Sequence, residues 1–269
     1  TAEAAGRHVM VGQSSRFFEP MLHQRADFDA GRFGELVSVE AHYVHDHREY
    51  MRRPWASGGG LNFIFAGLSH PVDLVRWYLP DVTEVFAYGT ISPAGASLGM
   101  AHPDTIHAVF RTAGGTVARV TGCYGTMTLA GPAEDLIECT IRGTGGISRA
   151  SYDRLVYHTA FAGEPPREHD LSARAPYYFR FGDRSHHAGE FQNYIEYFAR
   201  CLDAGQTPRP DLVEGIVTMA TLQAIADSIA EGLPVRVRSL LERHGLETLY
   251  DDALKGSAMT SSVGDGGSA

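Results

Sequence analysis

The sequence predicts an α+β fold: an open, mainly antiparallel sheet with helices packed on one face. Three observations carry this. From Val82 to Thr159 the chain reads as short strand-like runs joined by turn residues, with no helical period between them. Strands connected that way neighbour one another antiparallel. Helical periodicity is confined to the stretches before and after that block, and the last long helix has clear start and stop signals, Asp211 with Glu214 and Gly232 with Pro234.

Taken in order, His8–Val11 is a brief apolar run closed by Gly12 and predicts a short buried strand. Phe17, Phe18, Met21, Leu22 and Phe28 suit a helix over Phe17–Ala30, stopped by Gly31. Leu36–His47 alternates and predicts a strand with a mixed face; Arg48–Ser57 is a polar loop. After a helix beginning near His70 come strands over Val82–Gly89, Thr105–Arg111, Thr116–Tyr124, Leu136–Arg142 and Leu155–Thr159. Gly114-Gly115 turns the second of these into the third, and Gly143–Gly146 is a loop. Ser185–Leu202 places Phe191, Tyr194, Ile195 and Phe198 on one helical face, and Gly205 ends it. Asp211 then caps a helix reaching Glu231, with Glu214 as its capping-box partner, and Val235–Val237 is a short strand. The Ser/Gly-rich end, 255–269, is expected to be disordered.

Composition limits the function. A formal charge of −9 argues against nucleic acid, whose phosphates require clustered cations. Almost all cations are arginine, and the single lysine is Lys255. Cys123, Cys139 and Cys201 are odd in number and widely spaced, which suits reduced core residues in a cytoplasmic protein. No apolar run approaches the roughly 18 residues of a membrane span, and 1–12 lacks the pattern of a signal peptide.

The chain is organised around Ser57–Tyr78. A glycine run, Gly58-Gly59-Gly60, leads through an apolar segment to Ser69-His70-Pro71. Proline is favoured at the first helical position, so Ser69 or His70 is the expected N-cap and Asp73 falls in the first turn. Val72, Leu74, Val75, Tyr78 and Leu79 form the apolar stripe. A histidine at a helix start is favoured as neutral imidazole, able to accept a proton near pH 7. It reads equally as the cap of a core helix. Tyr43, Tyr50 and Trp55 beside His45 suit a pocket for a polar small molecule, or ordinary packing under a loop; Asp73 is grouped with Tyr43, His45 and Trp55 as substrate-binding. His45 and His47 share a strand face at metal-ligand spacing, with His70 or Asp73 as a third ligand, but no other ligand motif backs them and no metal is expected. His186-His187 reads as surface or N-cap. No G-x-G-x-x-G and no P-loop is present: after Gly143-Thr144-Gly145-Gly146, position 148 is serine.

Four stretches together resemble the Gfo/Idh/MocA family of NAD(P)-dependent oxidoreductases of sugars and polyols. They are AGRHVMVGQSSRFFEPMLHQRADFDAGRFGELVSVEAHY, the W-x-x-GGG run with SHPVDLVRWYL, the AVFRTAGGTVARVTG hairpin, and FQNYIEYFARCLDAGQTPRPDLVEGIVTMATLQAIADSIAEGLPVRV. No single motif is highly specific; their order over residues 5–240 is. The resemblance implies that 1–14 is the end of a Rossmann domain and 15–254 the substrate-binding and oligomerisation domain. It implies catalysis by His70, which would face the substrate carbon beside the nicotinamide and assist proton transfer to the alcohol oxygen. It also implies NAD or NADP as cofactor, a sugar-like substrate and a dimer or tetramer made through the sheet's other face. Two features depart from the family. Its Rossmann domain would precede residue 1, taking with it the glycine fingerprint and the lysine of an E-K-P motif, and Ala66 stands where many members carry an aspartate four residues before the histidine. The expectation is therefore the substrate-binding half of an oxidoreductase, inactive alone. A non-catalytic ligand-binding or assembly module, and a metal-dependent hydrolase built on His45, His47 and His70, are the alternatives.

Overall fold

A computed structural model describes residues 4–56, 60–127, 136–152, 154–178 and 189–260. A 3-10 turn, Ser14–Phe17, leads into α1 (Glu19–Asp29), β1 (Leu36–Val44) and a single helical turn, α2 (Arg48–Met51). A second 3-10 turn, Phe63–Phe65, precedes α3 (Ser69–Tyr78). There follow β2 (Val82–Thr90), α4 (Pro93–Ser97), β3 (Thr105–Thr112), β4 (Val117–Cys123), β5 (Leu136–Gly143), β6 (Gly146–Ser151), β7 (Val156–Phe161) and β8 (Arg167–Asp170). The last part holds α5 (Ala175–Tyr178), α6 (Glu190–Asp203), α7 (Leu212–Glu231), β9 (Val235–Arg236), α8 (Val237–Glu242) and α9 (Glu247–Thr260).

The strands form one sheet in the order β8-β7-β6-β5-β1-β4-β3-β2-β9. Every pair is antiparallel except β1 with β4. The predicted α+β architecture is the observed one. Strand alternation sends Val39, Ala41 and Tyr43 of β1, Ile106, Ala108 and Phe110 of β3, and Ile137, Cys139 and Ile141 of β5 into the core. On that face α1 packs on β6 and β7, α3 on β1, β4 and β5, and α7 on β2. The other face carries Glu40 bonded to Arg119 and Arg142, beside the more exposed Tyr88, Val109 and Val117.

α7 begins as expected. Asp211 accepts from the Glu214 amide at 3.0 Å, and Glu214 accepts from the Asp211 amide at 3.1 Å. Gly232 closes it with φ at 69°, a left-handed position that suits glycine. This helix does have the length and mean hydropathy, 1.3, of a bilayer span, contrary to the sequence expectation. Packing explains the composition: 56% of its most apolar window is buried, and Val217, Leu222, Ala224 and Ile225 lie in the core.

Several expectations fail locally. His8–Val11 is not a sheet strand; Met10 makes one bridge to Asp211, and the Val11 amide donates to the Pro210 carbonyl. Arg48–Ser57 opens with a helical turn, α2. β6 and β8 were not expected, and the Gly143–Gly146 loop is the tight turn joining β5 to β6. Val237 starts a helix rather than ending a strand. α9 continues to Thr260, past the point at which disorder was expected to begin. Ser57, Gly58 and Gly59 of the glycine run, the helix start at Ser185, His186-His187 and the final 261–269 lie outside the described residues.

Candidate active site

The entry to α3 is built from close backbone approaches. Asn62 Oδ1 accepts from the Ile64 amide at 3.1 Å, and the chain then folds through Ala66-Gly67-Leu68. A Cβ on Gly67 would overlap the Tyr124 phenol and the Phe63 ring. A Cβ on Gly122 of β4 would lie 2.5 Å from Leu68 Cδ1 and 2.7 Å from the Phe63 ring. Only glycine at both places lets this segment press on the sheet. Leu68, not Ser69 or His70, is the N-cap, and it supplies no side-chain cap. Ser69 instead donates its hydroxyl to the Ala66 carbonyl at 2.7 Å, and His70 lies inside the first turn with its amide donating to Gly67.

His70 is half-buried, and its Nδ1 shares a 2.9 Å hydrogen bond with the Ser15 hydroxyl. The Tyr43 ring meets the imidazole edge-on, centroids 5.6 Å apart. Tyr43 also shares a 3.3 Å hydrogen bond between its hydroxyl and His47 Nε2, and its ring meets Tyr124 edge-on at 5.5 Å. The His45 and His47 rings lie 3.9 Å apart, and His47 contacts Tyr124 at 4.1 Å and Tyr50 at 5.3 Å. Tyr50 packs edge-on against Trp55, which is 49% exposed at the rim. These groups gather where β1 and β4, the parallel pair, end: Tyr43, His45 and His47 at the end of β1, Tyr124 directly after β4. Carboxyl ends of parallel strands are where open α/β sheets present their ligand sites.

Four of the five predicted site residues therefore fall in one neighbourhood: His70, Tyr43, His45 and, at its margin, Trp55. Asp73 does not. It is 1% exposed, and its two carboxylate oxygens accept from Arg16 Nε at 2.7 Å and Nη2 at 2.8 Å. It lies in the second turn of α3 and anchors the helix rather than facing a ligand. Arg16 Nη1 donates to Glu214 at 3.1 Å, and Glu214 accepts in turn from Arg209 at 3.1 Å. Burial opposes the Arg16 charge, yet Asp73 and Glu214 outweigh it and hold the guanidinium above its ordinary pKa. Arg76 from α3 donates to Thr218 at 2.6 Å and to the Glu214 carbonyl at 3.1 Å; burial lowers it to about 10. α3 is thus bolted to α7 and to the Ser14–Phe17 turn.

Ser15, Arg16 and Tyr124 were not marked as site residues by the sequence, and no local period marks them. His45 and His47 pack on each other, and among the described residues no three His, Cys, Asp or Glu side chains are arranged to hold a metal ion. The three arginines after the strand are engaged locally: Arg48 with Asp46, Arg52 with Glu49, and Arg53 over the Tyr50 ring.

The profile of an oxidoreductase family, C-terminal alpha/beta domain, matches residues 26–237. No curated protein sequence matches the chain significantly. Among solved structures, an oxidoreductase from Agrobacterium radiobacter in complex with NAD+, L-tartaric acid and magnesium is 21% identical with a TM-score of 0.75, over 89% of this chain and 68% of that one. Levoglucosan dehydrogenase with NADH and levoglucosan is 18% identical with a TM-score of 0.72, over 87% and 68%. A putative myo-inositol dehydrogenase from Sinorhizobium meliloti 1021 is 22% identical with a TM-score of 0.65, over 88% and 67%. The chain spans about two thirds of the length of each.

Proposed function

Because the chain belongs to the Gfo/Idh/MocA oxidoreductase family, through that family's C-terminal alpha/beta domain, we propose that it is the substrate-binding part of an NAD(P)-dependent dehydrogenase acting on a secondary alcohol of a sugar, polyol or related compound. The observation that best supports this is the setting of His70: an imidazole held through Nδ1 by a buried serine, flanked by Tyr43, where the parallel strands end. His70 then hydrogen-bonds the reacting oxygen. Tyr43, His45 and Trp55, with Tyr50 and Tyr124, offer ring faces and polar tips to a polyol. Ligands named for the similar structures, levoglucosan and L-tartaric acid, are of this hydroxylated kind.

The described residues of this chain do not by themselves fit a dinucleotide. The sequence has no strand–glycine turn–helix for a pyrophosphate, and Gly143–Gly146 is a hairpin turn. In this reading NAD or NADP, which would take up the hydride, is held by a Rossmann domain outside these residues, of which 1–14 is the end. The chain by itself then shows no turnover. Its own part is to bind and orient the alcohol. The open sheet face supports a further part of the reading, self-association into a dimer or tetramer. The free cysteines suit a reducing, cytoplasmic setting.

The test is His70→Ala in the complete dehydrogenase, assayed across polyols with NAD and NADP. The expected outcome is a loss in kcat on the order of 10²–10³-fold, the scale of one lost hydrogen-bond donor at the reacting oxygen, with oligomer size unchanged. Unchanged turnover would favour a non-catalytic assembly module instead.

A further inference from the structure

The Ser14–Phe17 turn grips α3 at two points one helical turn apart: Ser15 holds His70 and Arg16 holds Asp73. The second grip is a bidentate ion pair that fixes the helix. The first is a single hydrogen bond to a ring with two chemically distinct nitrogens, and its direction decides which of them carries the proton.

Ser15 is 1% exposed, and among the described residues His70 Nδ1 is the only hydrogen-bond partner of its hydroxyl. A hydroxyl has one hydrogen to give. Were Nδ1 protonated, Ser15 would accept from it, and the serine's own hydrogen would be buried with no acceptor. Were Nδ1 bare, Ser15 would donate to it and the hydroxyl would be satisfied. Buried polar hydrogens are overwhelmingly paired, so the second arrangement prevails. A carboxylate in place of Ser15 only accepts and would impose the opposite tautomer.

We infer that Ser15 is a positioning residue that fixes neutral His70 as the Nε2–H tautomer, so that the imidazole meets the substrate oxygen as a neutral hydrogen-bond donor rather than as a proton acceptor. This rests on the reading of His70 as the substrate-facing residue. It adds which nitrogen faces the substrate and what that nitrogen does. A neutral donor suits a carbonyl or hydroxyl oxygen lone pair, so the site recognises the reacting oxygen in both the alcohol and the ketone; the hydroxyl proton released on oxidation passes to a separate basic side chain of the cofactor-bearing part, not to His70.

The test needs no turnover. The full 269-residue chain is labelled with ¹⁵N-histidine, and long-range proton–nitrogen correlations are recorded at a pH where the ring is neutral. The His70 signals are identified by their loss in His70→Gln. The expected result is a pyridine-type Nδ1 and a pyrrole-type Nε2. Ser15→Ala should shift both nitrogens toward the opposite tautomer, and Ser15→Thr, which keeps the hydroxyl, should retain the wild-type pattern. A pyrrole-type Nδ1 in the wild type overturns the inference, as does a Ser15→Ala spectrum identical to wild type. If Ser15→Ala does not fold, the wild-type and Ser15→Thr spectra decide alone, a pyrrole-type Nδ1 in either being fatal. A catalytically idle His70 would leave these shifts unchanged, so failure of the dehydrogenase reading and failure of this inference are separable.

Discussion

Arg16 and Asp73 meet as a bidentate pair, at 2.7 and 2.8 Å, with both side chains almost wholly removed from water. The guanidinium comes from a turn near the start of the chain and the carboxylate from the helix that carries His70. Such a pair gains little over an apolar isostere, but removing one partner strands the other charge.

Arg16→Leu should therefore cost about 3–5 kcal/mol of unfolding free energy, because Asp73 and Glu214 are both left without it. Arg16→Leu with Asp73→Leu should recover part of that loss. Urea unfolding of the two variants reads the difference; a double variant no more stable than the single would show that the pair is not coupled.

Glu214 gives stability a defined acid limb. Burial works to raise its pKa, but Arg16 and then Arg209 outweigh burial and hold it below 4.5. A carboxyl depressed in the folded state stabilises above its unfolded pKa, and that contribution is lost as pH falls through the folded value. The difference in unfolding free energy between wild type and Glu214→Gln should thus be full above pH 4.5 and shrink below it. A difference independent of pH would contradict this sign.

Gly67→Ala places a methyl group where the Tyr124 phenol and the Phe63 ring lie. Overpacking of this kind costs about 1–3 kcal/mol. Because Tyr124 contacts His47 at 4.1 Å, the histidine resonances of the site should move as well. A melting temperature and histidine spectrum equal to wild type would mean that the segment relaxes freely.

On the open sheet face, Tyr88 is 70% exposed, and Val109 and Val117 lie on adjacent strands. If that face joins copies of the chain, Val109→Arg should lower the sedimenting mass to that of a monomer without altering the fold, since the side chain touches solvent. A wild type that is monomeric at micromolar concentration would remove the proposal.

What was legible in the sequence was what is decided locally. The capping box of α7, the Gly114-Gly115 turn between β3 and β4 and the stripe Val72, Leu74, Val75 and Tyr78 of α3 each lie within a few residues. β6 was missed because Gly146, Ser148, Arg149 and Ser151 have weak strand preference; its pairing with β5 and β7 makes it a strand. Asp73 looked like a helix-dipole carboxylate open to a ligand because the arginine that claims it is 57 residues away. Ser15 stands 55 residues from His70 and was equally out of reach of any local pattern. The approach of α3 to Gly122 likewise depends on strands meeting only in three dimensions.

β1 joins two meanders, β2 to β4 on one side and β5 to β8 on the other, through β4 and β5. Of the strands of this sheet it is the first to be synthesised, yet its edges are claimed only once Val117–Cys123 and then Leu136–Gly143 have emerged. Until then Val39, Ala41 and Tyr43 sit on a strand with both backbone edges open, the state most prone to pairing with another nascent chain. Pairing between strands this distant in sequence is slow to form. Synthesis pauses before Leu136–Gly143 has emerged would lengthen that exposure, whereas pauses after its emergence would find the strand sealed on both sides.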